Sequence, residues 1–246
     1  MLFEILLSTL LVSLLSLTGV LLLMINKKTM DALVFVILSF ATGSLFAAAF
    51  FDLFPQALEK LDSKVVFGIA LGAIVVFFIL ERIIHWHHEH HDHTKHEKPV
   101  AYLVLVGDSI HNFFDGVAIA ASFLASPALG VATTLAIMLH EIPQELSDFT
   151  LLIYGGFSAK KALAFNLVSA LFAVVGALAF YYISPLVNNL QFYGLAFAAG
   201  GFLYIAGTDL LPELHREEEK LKSMIQLAAI LAGIVVMWLL ITNLGG

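Results

Sequence analysis

Cysteine is absent from this 246-residue chain. That excludes disulfides and thiolate metal sites, and the lack of soft sulfur ligands argues against copper(I) chemistry. Charge is scarce as well: Asp, Glu, Lys and Arg make up 13% of the residues, about half of what a soluble domain carries. With 60% hydrophobic residues and a mean hydropathy of +0.95, a soluble globular domain is excluded. No long polar stretch stands between the apolar runs, so no separate soluble domain is expected, and 1–246 reads as a single transmembrane domain. Met1–Ile25 has neither a basic leader region nor an A-x-A cleavage site. It is also too long for the apolar core of a signal peptide, so it is expected to be the first span.

Apolar runs of about 17–25 residues predict membrane helices. Eight are legible, at about 2–25, 31–54, 64–84, 101–124, 129–153, 159–183, 190–211 and 223–243. The expected fold is an all-α integral membrane protein. Basic residues are missing from one side of it. Lys27, Lys28, Arg82, Lys95, Lys98, Lys160, Lys161, Arg216, Lys220 and Lys222 fall in the odd-to-even connections or their flanks, and only Lys60 and Lys64 fall on the other side. By the positive-inside rule the first group is cytoplasmic, which places both termini outside. The net charge of -7 says little about partners, because the acids are divided between connections and spans. A bilayer is the expected surroundings and nucleic acid is not an expected partner.

Asp52-Leu53-Phe54-Pro55 near the end of the second span is echoed by Asp209-Leu210-Leu211-Pro212 near the end of the seventh, with Gly43 and Gly200 upstream. Those two spans run in opposite directions, so the match suggests inverted repeats: helices 1–3 and 6–8 around helices 4 and 5, a 3+2+3 arrangement. D-L-x-P is also simply a good way to end an apolar helix.

Two spans carry polar stripes at their centres. Asp108, His111, Asn112 and Asp115 share roughly 100° of the fourth helix; His140, Glu141, Gln144, Glu145 and Asp148 share roughly 140° of the fifth. Ionisable groups at a membrane midplane cost roughly 2.5–3.5 kcal/mol each. The short connection between the two helices makes them antiparallel neighbours, so the stripes can face each other. Imidazole nitrogens with carboxylate oxygens suit zinc, iron, manganese and related divalent ions. Pro143 removes one backbone hydrogen bond from the fifth helix, leaving the carbonyl of Leu139 open. A buried polar network without metal is the competing reading, but it leaves several negative charges without a counter-ion.

His111-Asn112-Phe113-Phe114-Asp115-Gly116 followed by His140-Glu141-Ile142-Pro143-Gln144-Glu145-Leu146-Ser147-Asp148 resembles the ZIP (Zrt-, Irt-like protein) metal transporters. Within that family it is similar to the branch whose fifth helix reads H-E-x-P-H-E-x-G-D. The resemblance covers the whole chain. It implies movement of divalent cations, zinc first, with iron, manganese or cadmium also possible, toward the cytoplasm through a binuclear site at the midplane. It implies His111, Asp115 and Gln144 at one metal position, and Asn112, His140 and Glu141 at the other with Asp115 bridging; Glu145 is close enough to join either. Three positions depart from the pattern. Gln144 replaces a stronger His ligand, Ser147 replaces Gly, and Asp52 stands where many relatives have His. The metal is substrate, and no organic cofactor is expected.

Other polar residues extend the route. Asp52 suggests an entrance and Asp209 an exit, although both are also placed where carboxylates meet the polar interface. Asp108, one turn before the motif, suits a relay or transit ligand, and Asp148 is a further pathway candidate. Asn166, within the sixth span, is equally suited to ligation and to helix packing. Glu213 and Glu217–Glu219 read as a solvated helix end. The His-rich stretch 85–99 is expected to be a cytoplasmic loop, with His87, His88, His90, His91 and His93 as low-affinity metal ligands.

His140-Glu141 also begins an H-E-x-x-H zinc hydrolase motif, but Gln144 removes its second ligand and Pro143 distorts its spacing. A metal-dependent hydrolase within the membrane, or a metal sensor, is thus the alternative function. The residues do not separate carrier from channel or import from export. A homodimer is compatible with the sequence, and the compact layout leads us to expect a prokaryotic plasma membrane.

Overall fold

The computed structural model describes residues 1–89, 98–217 and 219–244, and every regular element among them is helical. In chain order the helices are α1 (Leu2–Val20), α2 (Lys28–Leu58), α3 (Ser63–Glu89), α4 (Lys98–Ala125), α5 (Pro127–Tyr154), α6 (Ala159–Leu186), α7 (Leu190–Leu214) and α8 (Lys220–Leu244). Among the described residues, six stretches are long and apolar enough to cross a membrane: α1, α2, Ser63–Arg82 of α3, α6, α7 and Lys220–Asn243 of α8. The helices α4 and α5 are as long, at 28 residues each, or about 42 Å of rise. They fall outside the six because they carry the polar stripes.

Exposure separates inner from outer helices. Phe67, Leu71 and Phe78 on α3 and Leu227, Leu231 and Trp238 on α8 are exposed large hydrophobics. An apolar outer surface of this kind is suited to lipid, and the chain is an integral membrane protein. Inside, Ala118, Ile119, Ala120, Ala136, Ile137, Leu195, Ala196 and Ala199 are almost fully buried. Small residues let backbones approach where lipid provides no hydrophobic drive for helix association.

Glycines mark the tightest crossings. An ideal Cβ on Gly116 of α4 lies 1.8 Å from the Ala173 carbonyl oxygen of α6, and one on Gly176 lies 2.0 Å from that of Phe113. Likewise Gly43 of α2 meets Ile230 of α8 at 2.1 Å, and Gly200 of α7 meets Ala70 of α3 at 2.3 Å. Only a residue without a side chain permits these four contacts.

Local signals set the helix ends. Asn26 accepts a hydrogen bond from the Thr29 amide at 3.0 Å at the start of α2. Ser126 does the same for Leu129 at 3.1 Å, with Pro127 in the first turn of α5. Ser126 alone connects α4 to α5, so the two are antiparallel neighbours, as the short connection led us to expect. Proline has a second effect in α2 and α7. Immediately before Pro55 the backbone widens into a π-helical turn, Ala49–Leu53, and before Pro212 into another, Ile205–Leu210. A proline cannot donate to the carbonyl four residues back, and a π turn is one way a helix absorbs that loss. Asp52 and Asp209 lie one in each turn.

The structure corrects one expectation of the sequence. Residues 85–89 were expected in a loop, but α3 continues through them to Glu89, and α4 begins at Lys98. Extending an existing helix costs far less than starting one, so polar residues carry it past the apolar run. Candidate ligands His90, His91 and His93 lie outside the described residues, as do the side chains of His87 and His88.

Candidate metal centre

Four side chains from the two stripes converge. His111 and Asp115 are one turn apart on α4, and His140 and Glu141 are adjacent on α5. Their ligand atoms all lie within 4.8 Å of one another. His111 Nε2 is 3.3 Å from His140 Nε2, 3.3 Å from Glu141 Oε1 and 3.7 Å from Asp115 Oδ2. His140 Nε2 is 3.4 Å from both Asp115 Oδ2 and Glu141 Oε1. A tetrahedron of ligands about 2.0–2.1 Å from a cation has edges of about 3.3–3.4 Å. Four of the separations, 3.3–3.4 Å, are those of neighbouring ligands on a small divalent ion.

The surroundings agree with that chemistry. Glu141 is completely buried, and Asp115 and His140 are 4% and 2% exposed. Asp115 Oδ2 and both Glu141 carboxylate oxygens receive no hydrogen bond. Buried carboxylates without donors are costly unless a cation meets them. His140 Nδ1 lies 3.3 Å from the Ala136 carbonyl; donating there leaves the Nε2 lone pair directed at the cluster. His111 is edge-on to Phe77 at 6.4 Å and His140 to Phe202 at 6.2 Å, so aromatic rings back both imidazoles.

The other three expected ligands fall outside the four-residue cluster, and each makes a hydrogen bond to another side chain. Asn112 Nδ2 donates to the Asp108 carboxylate at 2.9 Å, and Gln144 Nε2 reaches the same oxygen at 3.4 Å. Glu145 accepts from Asn166 Nδ2 at 2.5 Å. Among the pathway candidates, Asp108, Asp148 and Asp209 line one cavity of about 580 Å³ together with His111, His140 and Gln144. Glu213 also lines it, and pairs with Arg216 at 2.7 Å. Asp52 is not on that cavity; it is 5% exposed and accepts from Gln56 at 3.1 Å.

Two cavity residues were missed in the sequence. The Tyr204 hydroxyl donates to the Glu81 carboxylate, joining α7 to α3 across the cavity wall. Glu81 was legible as an acid at the end of an apolar run, whereas nothing in the sequence singled out Tyr204 among the aromatic residues. Phe77 packs against Phe114, Phe197 and Tyr204 at ring separations of 5.4, 6.0 and 6.1 Å, closing the space beside His111.

Fold and site together define an integral membrane protein whose interior offers a divalent cation two imidazoles and two carboxylates. A family model described as ZIP Zinc transporter matches residues 3–101 and 85–241, and the chain belongs to that family. It is 37% identical over 216 residues to the protein named Zinc transporter ZIP13 from Pongo abelii, covering 82% of this chain and 65% of that one. With Zinc transporter ZIP10 from Mus musculus it shares 43% identity over 115 residues, 47% of this chain and 14% of the relative. With Zinc transporter zipt-7.2 from Caenorhabditis elegans it shares 40% over 148 residues, 58% of this chain and 32% of the relative. The chain thus spans less than two thirds of each of these relatives. All three are animal proteins and lend the expected prokaryotic origin no support.

Proposed function

We propose that this chain carries divalent cations across a bilayer, zinc foremost, using His111, Asp115, His140 and Glu141 as the transport site. The observation that carries the reading is the convergence of these four ligand atoms at the spacing of a tetrahedral ion, beside a cavity lined by Asp108, Asp148 and Asp209. Two carboxylates and two neutral imidazoles neutralise one divalent ion while giving it replacements for water. Borderline ions such as zinc, iron(II), manganese and cadmium suit this mixed nitrogen and oxygen set. The relatives are named as zinc transporters, and nothing in the site favours a hydrolase: position 144 is Gln, turned to Asp108.

In this reading one transmembrane domain spans the membrane eight times, α4 and α5 included, in a 3+2+3 arrangement. Support comes from matched details in the two outer groups. Gly43 and Gly200 each precede an aspartate by nine residues and a proline by twelve. Each aspartate sits in a π turn, and the glycine contacts are exchanged: α2 against α8, α7 against α3. The lysine and arginine distribution supports cytoplasmic placement of the connection between α7 and α8 and external termini. The cavity from the centre reaches Glu213, next to that connection, so the conformation is open to the cytoplasm. On the opposite side Ala49, Leu53, Ala196 and Ala199 are fully buried, and Asp52, in the same turn as Ala49 and Leu53, is the entrance carboxylate of the alternate conformation.

Uptake of radioactive zinc into proteoliposomes tests the reading, with a His111→Ala/Glu141→Ala double variant alongside. Saturable uptake that the double variant abolishes is expected, and the order in which iron(II), manganese and cadmium compete ranks the substrates. Equal uptake by both proteins would overturn the assignment.

A further inference from the structure

A second cavity, of about 450 Å³, lies between α2, α5 and the α7–α8 connection. Val34, Leu38, Pro143, Ser147 and Glu213 line it and the first cavity alike, so the two are neighbours. None of His111, Asp115, His140 and Glu141 lines the second. Its surface has two parts. Asp31, Val34 and Leu38 recur at helical spacing along one face of α2, and from Asp31 to Leu38 that helix rises about 10 Å. Beyond Asp31 this wall is apolar, and Leu146 of α5, 5% exposed, lines the same space. The Thr150 hydroxyl beside it is spent on its own helix, donating to the Leu146 carbonyl at 2.8 Å.

The other part is charged. Asp31, Glu213, Arg216 and Glu217 line the cavity where the helices end. Arg216 Nη1 is held by Glu213 at 2.7 Å, and Lys222 reaches Glu217 at 3.2 Å. A guanidinium has five N–H donors in a fork, so the Glu213 pair leaves Arg216 with donors for a phosphate. Three carboxylates against one guanidinium give the rim an acid excess, which attracts a cationic group and repels a net anionic one. On the turns of α2 that border the cavity, Leu33 and Val36 are exposed large hydrophobics, so the surface around it is suited to lipid. An apolar slot below a rim of both signs, on a membrane protein, matches one kind of molecule: a phospholipid with an acyl chain inside and a zwitterionic head group outside. The acid excess favours an ammonium that can donate hydrogen bonds; a trimethylammonium has no N–H to give.

We propose that the cavity between α2, α5 and the α7–α8 connection binds one phosphatidylethanolamine molecule, with its phosphate on Arg216, its ammonium on Asp31 and Glu217, and an acyl chain along Val34 and Leu38. The chain then rests against residues that also line the cavity of the metal centre, and it closes that flank toward the bilayer. The lipid touches none of the four metal ligands. Its site holds or fails independently of whether the chain transports zinc.

Native mass spectrometry of the purified full chain tests it, with phosphatidylethanolamine, phosphatidylcholine and phosphatidylglycerol of matched acyl chains supplied in equal amounts. One phosphatidylethanolamine per chain is expected to stay bound, in preference to the other two. Arg216→Gln removes the phosphate contact at an exposed position and is expected to weaken that binding about tenfold or more. Zinc binding and the unfolding temperature of Arg216→Gln in lipid-free detergent should match the parent, which separates a lost lipid from a lost fold. Val34→Trp fills the slot and is expected to abolish lipid retention. Equal retention of the three lipids, or retention of none, would overturn the proposal. So would either variant holding phosphatidylethanolamine as the parent does: a lipid that survives Val34→Trp lies elsewhere on the surface, and one that survives Arg216→Gln is not held by its phosphate.

Discussion

His111 and His140 bring their Nε2 atoms to 3.3 Å of each other from two antiparallel helices. Two imidazole nitrogens at that separation, both facing the same two carboxylates, have the spacing of neighbouring ligands on one ion.

Removing one of the four ligands leaves the ion three donors. His140→Ala is expected to lower zinc affinity by about 10- to 100-fold, read by isothermal titration of the purified protein. Asn166→Ala is the comparison: it touches none of the four and should leave zinc affinity within about threefold of the parent. Equal losses in both would mean that the four-residue cluster is not the zinc site.

The glycine crossings predict a graded stability series. Gly116→Ala places a methyl 1.8 Å from a backbone oxygen, which a shift of α6 must relieve. Overpacking of this kind costs about 1–3 kcal/mol. Gly68→Ala and Gly72→Ala on α3 meet nothing within 4 Å and should be neutral or stabilising by up to about 1 kcal/mol. Thermal unfolding in one detergent ranks them, and a Gly116→Ala protein as stable as Gly72→Ala would contradict the packing.

The absence of cysteine makes accessibility directly measurable. Ser147 is exposed on the cavity and Leu53 is fully buried on the other side. A membrane-impermeant thiol reagent is expected to label Ser147→Cys from the cytoplasmic side and to leave Leu53→Cys unlabelled from either side. Labelling of Ser147→Cys from outside only would reverse the orientation.

Tyr204→Phe removes the hydroxyl that joins α7 to Glu81 on α3. A hydrogen bond to a carboxylate is worth about 1.5–3 kcal/mol, so a lower unfolding temperature is expected. Zinc affinity should not change, because Tyr204 contributes no ligand. Uptake assays should show an altered maximal rate at unchanged half-saturation; the reverse pattern would make Tyr204 part of the binding site.

Much of the site was legible because the 100° turn per residue puts His111 and Asp115 in one stripe of roughly 100° on α4, and His140 and Glu141 in one of roughly 140° on α5. Which of the seven expected ligands turn inward was not legible. Gln144 and Asn112 lie on the correct faces, and their amide nitrogens donate to Asp108, while Glu145 accepts from Asn166 on a helix that periodicity says nothing about. Asp52 and Asp209 were recognised as a matched pair from their prolines. Their different exposure, one sealed and one on the cavity, depends on which side of the molecule is open.

The chain's residues alone determined that this is a helical membrane protein, roughly where its helices run, and that two of them carry metal-ligand stripes. Those properties follow from hydropathy and from the 100° turn per residue, both local. Tertiary structure decided that four particular ligand atoms converge and that Glu81 and Tyr204 close a wall. Each of these requires separate helices to pack at one rotation and depth, and that is set by backbone contacts such as Gly116 on Ala173.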